Sequence, residues 1–482
     1  MHSILFLLIA NAPLTLSLFD VPDDHYAEPS TSSWQIRDLF RFCKNEPNHE
    51  VVLKTRDPEV VEYFSEADLD SSRFTSIVVI PDVHGDAELF IESLWIGYQQ
   101  VEGPQINIDF GFFKSSIMET ASSVEFLADG KVRLSPPESK LSTLGDKVAV
   151  VQLGDIMDRG TRPFLCYQIL AAIETVIGWR LIQLFGNHEM WIYNPECQST
   201  IRSNCGKDIA GFNTRWNSKN SDIPSNSINE FFAPDRPLWQ FIFRNSLVMA
   251  RIGRPIEEDE EYEMDPQRSP DSLFVHAGLD SEWLMEAVEA IEEEKWMEFE
   301  GEGEEEESEQ KAGQEDRKTL ESQGRGLIND LNSFLRNSFL SNPDSVAPFA
   351  KVETSPVNTR MFGRKFQEGL CDELDDLLME LNISRIIVGH TIPHMGEPGV
   401  RDYCDNRFFI TDVMISRGFQ RGGQPFAFVM QLDEAGQIDW MTGFYEAPRL
   451  NPQNVKKPQN QCFVGQHGCS IVDGISKFFL GN

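Results

Sequence analysis

Five short apolar, β-branched runs recur along this chain, and each one stops at glycine and polar residues. SIVVI (76–80) runs into PDVHGD, VAVVQL (148–153) into GDIMDRG, and RLIQLF (180–185) into GNHE. Further on, SLFVH (272–276) leads into AG, and RIIVGH (385–390) leads into Thr391. Uninterrupted runs of this kind, with no alternation of polar residues, read as strands buried on both faces. Amphipathic helices lie between some of them; the clearest covers 367–381, with Leu370, Leu374, Leu377, Leu378 and Leu381 on one face. Buried strands alternating with such helices predict an α/β architecture that binds its ligands at the carboxyl ends of the strands. RFFITDV and FAFVMQLD, after Arg407, read as further strands of a second sheet. No internal repeat is evident.

At about 150 residues per domain, 482 residues allow about three domains, or one elaborated domain with long insertions. The second layout fits the spacing of the runs. It gives an N-terminal extension over 19–75, a core domain over 76–448 and a tail over 449–482. The core is interrupted by insertions at about 103–147, 195–240, 255–270 and 282–325, and Asp129-Gly130 marks a hairpin within the first of these. A hydrophobic content of 40% supplies a large core and excludes wholesale disorder. The net charge of −35 excludes a generic binder of nucleic acid or of anionic membranes. That charge is local. The stretches 257–265 and 282–316 together hold 23 acids against two bases, and so carry 21 of the 35 excess charges. Such runs are solvated loops first, and candidate docking surfaces for basic partners or calcium second.

The apolar run at 4–10 is too short to span a bilayer but has the length of a signal-peptide core, with Ala10, Ala12 and Ser17 as small residues for cleavage. A signal peptide over 1–18 and a secretory or extracellular destination are therefore expected. No later segment reaches the roughly 18 apolar residues of a membrane span. Eight cysteines suit an oxidising compartment. Cys197/Cys205 and Cys462/Cys469 are the close pairs expected to bridge, and Cys166, in an apolar helical stretch, is expected to be a buried free thiol. The absence of CxxC argues against a zinc ribbon.

The residues at the strand ends carry the chemistry. In chain order they are Asp82-Val83-His84-Gly85-Asp86, Gly154-Asp155-Ile156-Met157-Asp158-Arg159-Gly160, Gly186-Asn187-His188-Glu189, His276-Ala277-Gly278 and Gly389-His390-Thr391. One such motif alone is as easily a capping aspartate or a satisfied histidine. Five in one order, each after a strand, are a constellation. Asp, Asn and His are hard-to-borderline ligands suited to manganese, iron or zinc.

With these motifs the chain resembles the PPP family of metallophosphatases, within the calcineurin-like metallophosphoesterases, over residues 76–446. It is most similar to the branch of Shewanella-like protein phosphatases, through HAG at 276–278, GHT at 389–391, ITDVMISRGF at 410–419 and LADGK at 127–131. The resemblance implies a metallophosphoesterase β-sandwich flanked by helices. It also implies two divalent cations, manganese foremost and iron or zinc as alternatives. Asp82 and His84 would bind the first cation, Asp155 would bridge both, and Asn187, His276 and His390 would complete the second. His188 would be the general acid, oriented by Asp158. Arg159 would bind the phosphate, and Arg360, with Arg364 as alternative, would be a second phosphate arginine. Attack would come in line from a bridging hydroxide on a phosphoprotein carrying phosphoserine, phosphothreonine or phosphotyrosine. Two features depart from the family pattern: Pro81 stands where glycine is usual, and no aromatic precedes Arg360 at Asn358-Thr359. All the implied ligands are present. A small-molecule phosphoesterase, such as a diadenosine-polyphosphate hydrolase, shares the motifs, and an inert scaffold protein would not need them.

Overall fold

All five apolar runs are strands in the computed structural model of the chain, which describes residues 56–63, 66–103, 108–191, 236–254, 268–300, 324–341, 354–360, 369–392, 399–418, 423–445 and 461–463. The strands are β1 (Glu59–Val61), β2 (Asp68–Asp70), β3 (Ser76–Ile80), β4 (Glu125–Phe126), β5 (Val132–Leu134), β6 (Val148–Gln152), β7 (Arg180–Leu184) and β8 (Ser246–Leu247). They continue with β9 (Met249–Gly253), β10 (Ser272–Val275), β11 (Arg385–Val388), β12 (Arg401–Tyr403), β13 (Phe408–Ile410), β14 (Phe426–Leu432), β15 (Ile438–Tyr445) and β16 (Gln461–Phe463). Eight described helices accompany them: α1 (Ala87–Glu102), α2 (Phe110–Ser122), α3 (Pro163–Val176), α4 (Asn187–Trp191), α5 (Pro237–Asn245), α6 (Ser281–Glu300), α7 (Gly324–Ser341) and α8 (Leu370–Glu380).

Two mixed sheets carry the molecule. The first runs β16-β15-β14-β3-β6-β7-β8, and the second β12-β13-β11-β10-β9-β2. In the first, β3, β6, β7 and β8 are parallel; in the second, β10, β11 and β13 are. Both faces of β3, β6 and β10 are buried, which is why these runs never alternate. Residues of both sheets belong to one hydrophobic core, and Phe409 of β13 lies 5.6 Å from Phe428 of β14 across the two. Helices α1 and α3 cover the first sheet and α7 the second, giving the helix-flanked α/β sandwich expected from the motifs.

Two readings of the sequence change. FAFVMQLD is a strand, but β14 joins the first sheet beside β3, while β13 alone of that pair lies in the second. The stretch to residue 75, read as an extension, contributes β1 and β2 to sheets. Asp68 of β2 pairs at 2.9 Å with the buried Arg251 of β9, whose other nitrogen reaches Asp271 at 2.6 Å. A buried guanidinium needs such partners, and that need ties the short DLD run to the sheet edge. Within 108–147, β4 and β5 form the hairpin expected at Asp129-Gly130, with Gly130 at φ 78°. They extend to β1 as a small third sheet.

Among the described residues, one disulfide joins Cys371 of α8 to Cys404 after β12, with Cα atoms 5.5 Å apart. Cys166 is a buried free thiol, as expected. The bridges expected for Cys197/Cys205 and Cys462/Cys469, the signal peptide, and the part of the insertion at 195–240 that precedes Arg236 lie outside the described residues or side chains. No described helix is long and apolar enough to cross a membrane.

Candidate metal centre

The parallel strands of both sheets end at one edge, and that edge gathers the motif residues. β3 delivers Asp82 and His84, β6 delivers Asp155, Asp158 and Arg159, and β7 leads directly into α4 with Asn187 and His188. From the second sheet, β10 delivers His276 and β11 delivers His390. All of these except Arg159 are buried.

Distances place Asp155 at the middle. Its Oδ2 lies 3.7 Å from Nε2 of both His84 and His188, and its Oδ1 lies 3.4 Å from His276 Nε2. Asp82 Oδ2 is 3.9 Å from His84 Nε2, and both Asp82 oxygens accept the backbone N–H of His390, at 3.2 and 3.1 Å. His276 is oriented by Nδ1, which is 2.7 Å from the carbonyl of Leu153, so that Nε2 faces Asn187 Oδ1 at 3.0 Å. Nδ1 of His84 is likewise spent on the carbonyl of Met157 at 3.0 Å. Such outer bonds fix which nitrogen a histidine offers to a cation.

Two groups have donor atoms within 4.8 Å of one another: His84, Asp155 and His188, and Asp155, His276 and His390. The donor set fits a pair of divalent cations sharing Asp155. It fits in one further respect, for His390 Nε2 is buried with no hydrogen-bond partner among the described residues, a costly state for a nitrogen unless something else binds it. His188 reaches the first group through Nε2, but its Nδ1 is 3.1 Å from Asp158 Oδ2, which sets it apart from the other histidines.

The backbone reaches this arrangement under strain. His84, Asp155, Asp158, Arg159 and His390 all have positive φ, between 43° and 68°. For residues other than glycine this costs about 1–3 kcal/mol each and persists only where the surroundings enforce it. Glycines make room for the bends: a Cβ on Gly186 would run into Asp155, and one on Gly389 into Asp82.

Part of the enforcement comes from Glu189, the last residue of GNHE, to which the sequence assigned no role. Its buried carboxylate accepts the N–H groups of Asp155, Ile156, Met157 and Gly186 at 2.8–3.0 Å, and the Tyr167 hydroxyl at 3.1 Å. A carboxylate three residues after a Gly-Asn helix start could have been suspected of this; its partners Asp155, Ile156 and Met157, more than thirty residues away, could not.

Electrostatics separate the groups. Burial alone would raise Asp155, but His276, His188 and His84 surround it and hold its carboxyl well below the usual range. Asp82 goes the other way: burial and the neighbouring Asp412 raise it, and His276 only partly offsets them. Burial works against a charge on His276 as well, yet Asp155 and Asp82 outweigh it and push the imidazole up to about 10. His188 is raised too: Asp155 and then Asp158 overcome its burial. His84 is lowered by burial and by the charge of His188, and His390 by burial and by Arg360.

Of the two arginines, Arg159 is half-buried beside His84 and His188. Arg360 is exposed on the turn 354–360 and donates to the carbonyl of His390 at 3.3 Å. Arg364 lies outside the described residues. Three further residues at this edge went unassigned in the sequence: Asp412 beside Asp82, Arg417 on the carboxylate of Asp86, and Trp191, whose ring centre is 4.4 Å from that of His188.

No protein-family model and no curated protein matches the chain. Among solved structures it is similar to a cold-active protein-tyrosine phosphatase of a psychrophilic Shewanella species, at 16% identity and a TM-score of 0.44, over 79% of this chain and 80% of that one. Another structure of a cold-active protein tyrosine phosphatase matches at 16% and 0.44, over 83% and 84%. A protein serine/threonine phosphatase from Saccharomyces cerevisiae matches at 13% and 0.33, over 83% and 87%.

Proposed function

We propose that the chain is a metal-dependent phosphomonoesterase acting on phosphoproteins. Two divalent cations, manganese foremost and iron or zinc as alternatives, would be held by Asp82, His84, Asp155, Asn187, His276 and His390. The observation that carries this reading is the meeting of donors from five strand ends in one buried cluster centred on Asp155. Bound there, such cations acidify a water and clamp phosphate oxygens.

The chain's own residues supply the remaining work. His188 turns Nε2 toward the cluster while Asp158 holds Nδ1, so the imidazole can keep a proton and deliver it to the departing oxygen of the ester. Asp158 fixes the ring and stabilises its charge. Arg159 offers a planar fork to the phosphate from the β6 loop. Arg360, on the turn 354–360 beside His390, adds positive charge. These cations offset the carboxylates in a molecule whose surplus negative charge sits elsewhere in the sequence.

One observation favours an aryl leaving group. Trp191 is half-buried with its ring centre 4.4 Å from that of His188, so a tyrosyl ring near the proton donor would have an aromatic face to stack on, which a seryl side chain could not use. Two wider parts of the reading have separate support. The Cys371–Cys404 disulfide suits a secretory or extracellular setting, because reducing compartments keep thiols free. The acidic stretches 257–265 and 282–316 favour basic partners or substrates.

The test is a comparison of substrates. Purified chain with Mn²⁺ is offered phosphotyrosine and phosphoserine peptides and diadenosine tetraphosphate. Hydrolysis of the peptides, with a phosphotyrosine preference that shrinks in Trp191→Ala, is the expected result. Preference for the dinucleotide would overturn the protein-phosphatase reading, and no hydrolysis of any of them with metal bound would overturn the enzyme.

A further inference from the structure

Another parallel strand ends at the same edge as the five motif strands. β13 is parallel to β11, and its carboxyl end feeds residues 411–418 across the site, anchored at the start by Thr411, whose N–H and hydroxyl both donate to the carbonyl of Val388 at 2.8 Å. This strap gives the site none of the ligands assigned above. It touches the loops that do.

Ser416 donates its hydroxyl to the carbonyl of His84 at 3.3 Å. Arg417 grips Asp86, the residue that closes the DVHGD loop. Its backbone N–H and Nε donate to Asp86 Oδ2 at 3.0 and 2.8 Å, and its Nη2 donates to Oδ1 at 2.6 Å and to Glu88 at 2.9 Å. Asp86 in turn caps α1. Gly418 packs so closely on the backbone of Arg159 that a Cβ there would collide with it. The loops held this way are already laced together: His84 and Gly85 donate to Asp155 and Ile156, and Gly160 and Arg162 donate to the carbonyls of His84 and Gly85. The laced segment contains four non-glycine residues at positive φ, and such a backbone needs enforcement from outside. Glu189 provides it on the β7 side. On the opposite side it is provided by the strap.

We infer that Arg417 is a positioning residue for the first cation, acting through Asp86 to hold the backbone of His84 in its left-handed bend. The inference rests on the reading of the site as a two-cation phosphatase centre. Arg417 is 56% exposed, so its part in the general stability of the chain is small, and an effect on the site is separable from unfolding. A guanidinium spans both oxygens of Asp86, which an ammonium cannot do.

The experiment compares the full chain with Arg417→Met, Arg417→Lys, Asp86→Asn and the double variant Arg417→Met/Asp86→Asn. Mn²⁺ affinity is measured by calorimetry, amide exchange over 83–86 by mass spectrometry, and thermal unfolding alongside. Arg417→Met is expected to weaken one of the two Mn²⁺ sites by roughly 10–100-fold and to speed exchange over 83–86. The unfolding midpoint should move by less than about 2 °C. Arg417→Lys should recover only part of the affinity, and the double variant should be no worse than Arg417→Met alone. Unchanged exchange over 83–86 overturns the inference whatever the metal does. Equal weakening of both Mn²⁺ sites with a matching drop in unfolding temperature overturns it as well, by making Arg417 an ordinary structural residue. If the unmodified chain binds no Mn²⁺, the phosphatase reading fails, while the exchange result still decides whether Arg417 holds the loop.

Discussion

In the loops after β3 and β6, the backbone that presents the ligands is held by hydrogen bonds from elsewhere in the chain. Glu189 takes three consecutive N–H groups from Asp155 to Met157, and the strap reaches the carbonyl of His84. The loops after β10 and β11 are held by single bonds spread along them, in which Ala277 donates to Pro356, Gly389 to His276 and Arg360 to His390. His276 is oriented through its own ring, by Leu153 and Asn187 of the other sheet. His390 hangs its N–H on Asp82, and its Nε2 has no hydrogen-bond partner among the described residues. The first sheet's half of the centre is thus held largely by one buried carboxylate, whereas the second sheet's half is held by single bonds spread over its loops. That division fits a centre whose bridging residue, Asp155, must stand in one place for both cations.

The largest expected effect separates the halves. Glu189→Ala strands four buried N–H groups, and at roughly 1–3 kcal/mol for each it should cost about 4 kcal/mol or more of stability, measured by denaturant unfolding in EDTA. His390→Ala, measured the same way, should cost far less, because its Nε2 has no hydrogen bond to lose among the described residues. Equal losses would erase the contrast. Next in size is an effect on turnover: His188→Asn should lower kcat by roughly 10²–10⁴-fold on phosphopeptides, and by less on p-nitrophenyl phosphate, whose leaving group needs no proton. Mn²⁺ binding should survive. Near-normal turnover on a phosphoserine peptide would remove His188 from the role of acid.

A smaller effect concerns pH. His188 must carry a proton to act, and its raised pKa means that the proton is lost only at higher pH, so kcat should fall as pH rises through that pKa. Asp155 and Asp158 hold the pKa up; Asp158→Asn removes one of them, and the falling limb should move to lower pH. A limb that stays in place, or moves to higher pH, would show that Asp158 does not stabilise the imidazolium.

The sequence made the presented half of this division legible and left the presenting half hidden. Strand runs and the ligand-bearing motifs are local signals: SIVVI, VAVVQL and GNHE each announce an element and its terminal residues within ten positions. What holds them is not local. Glu189 and Asp155 are 34 positions apart, Ser416 and His84 are 332 apart, and Cys371 pairs with Cys404 across 33 residues and not with a near neighbour. Only the fold brings such residues together, and no periodicity in the chain encodes it. The assignment of β14 to a second sheet went wrong for the same reason. Its apolar pattern suits a buried strand in either sheet, and pairing with β3 is a tertiary choice.

The measurement that bears most directly on the central claim is a calorimetric titration of the metal-free chain with Mn²⁺ at pH 7.5, run in two buffers of different ionisation enthalpy. Two cations should bind per chain. Protons should be released as they do, because Asp155 and Asp82 hold His276 protonated, with a pKa of about 10, and a ligating imidazole must be neutral. Asp155→Asn should weaken both sites together, since its carboxylate stands in both donor groups. A single cation, binding without proton release, or an Asp155→Asn chain that keeps both sites intact would contradict the account.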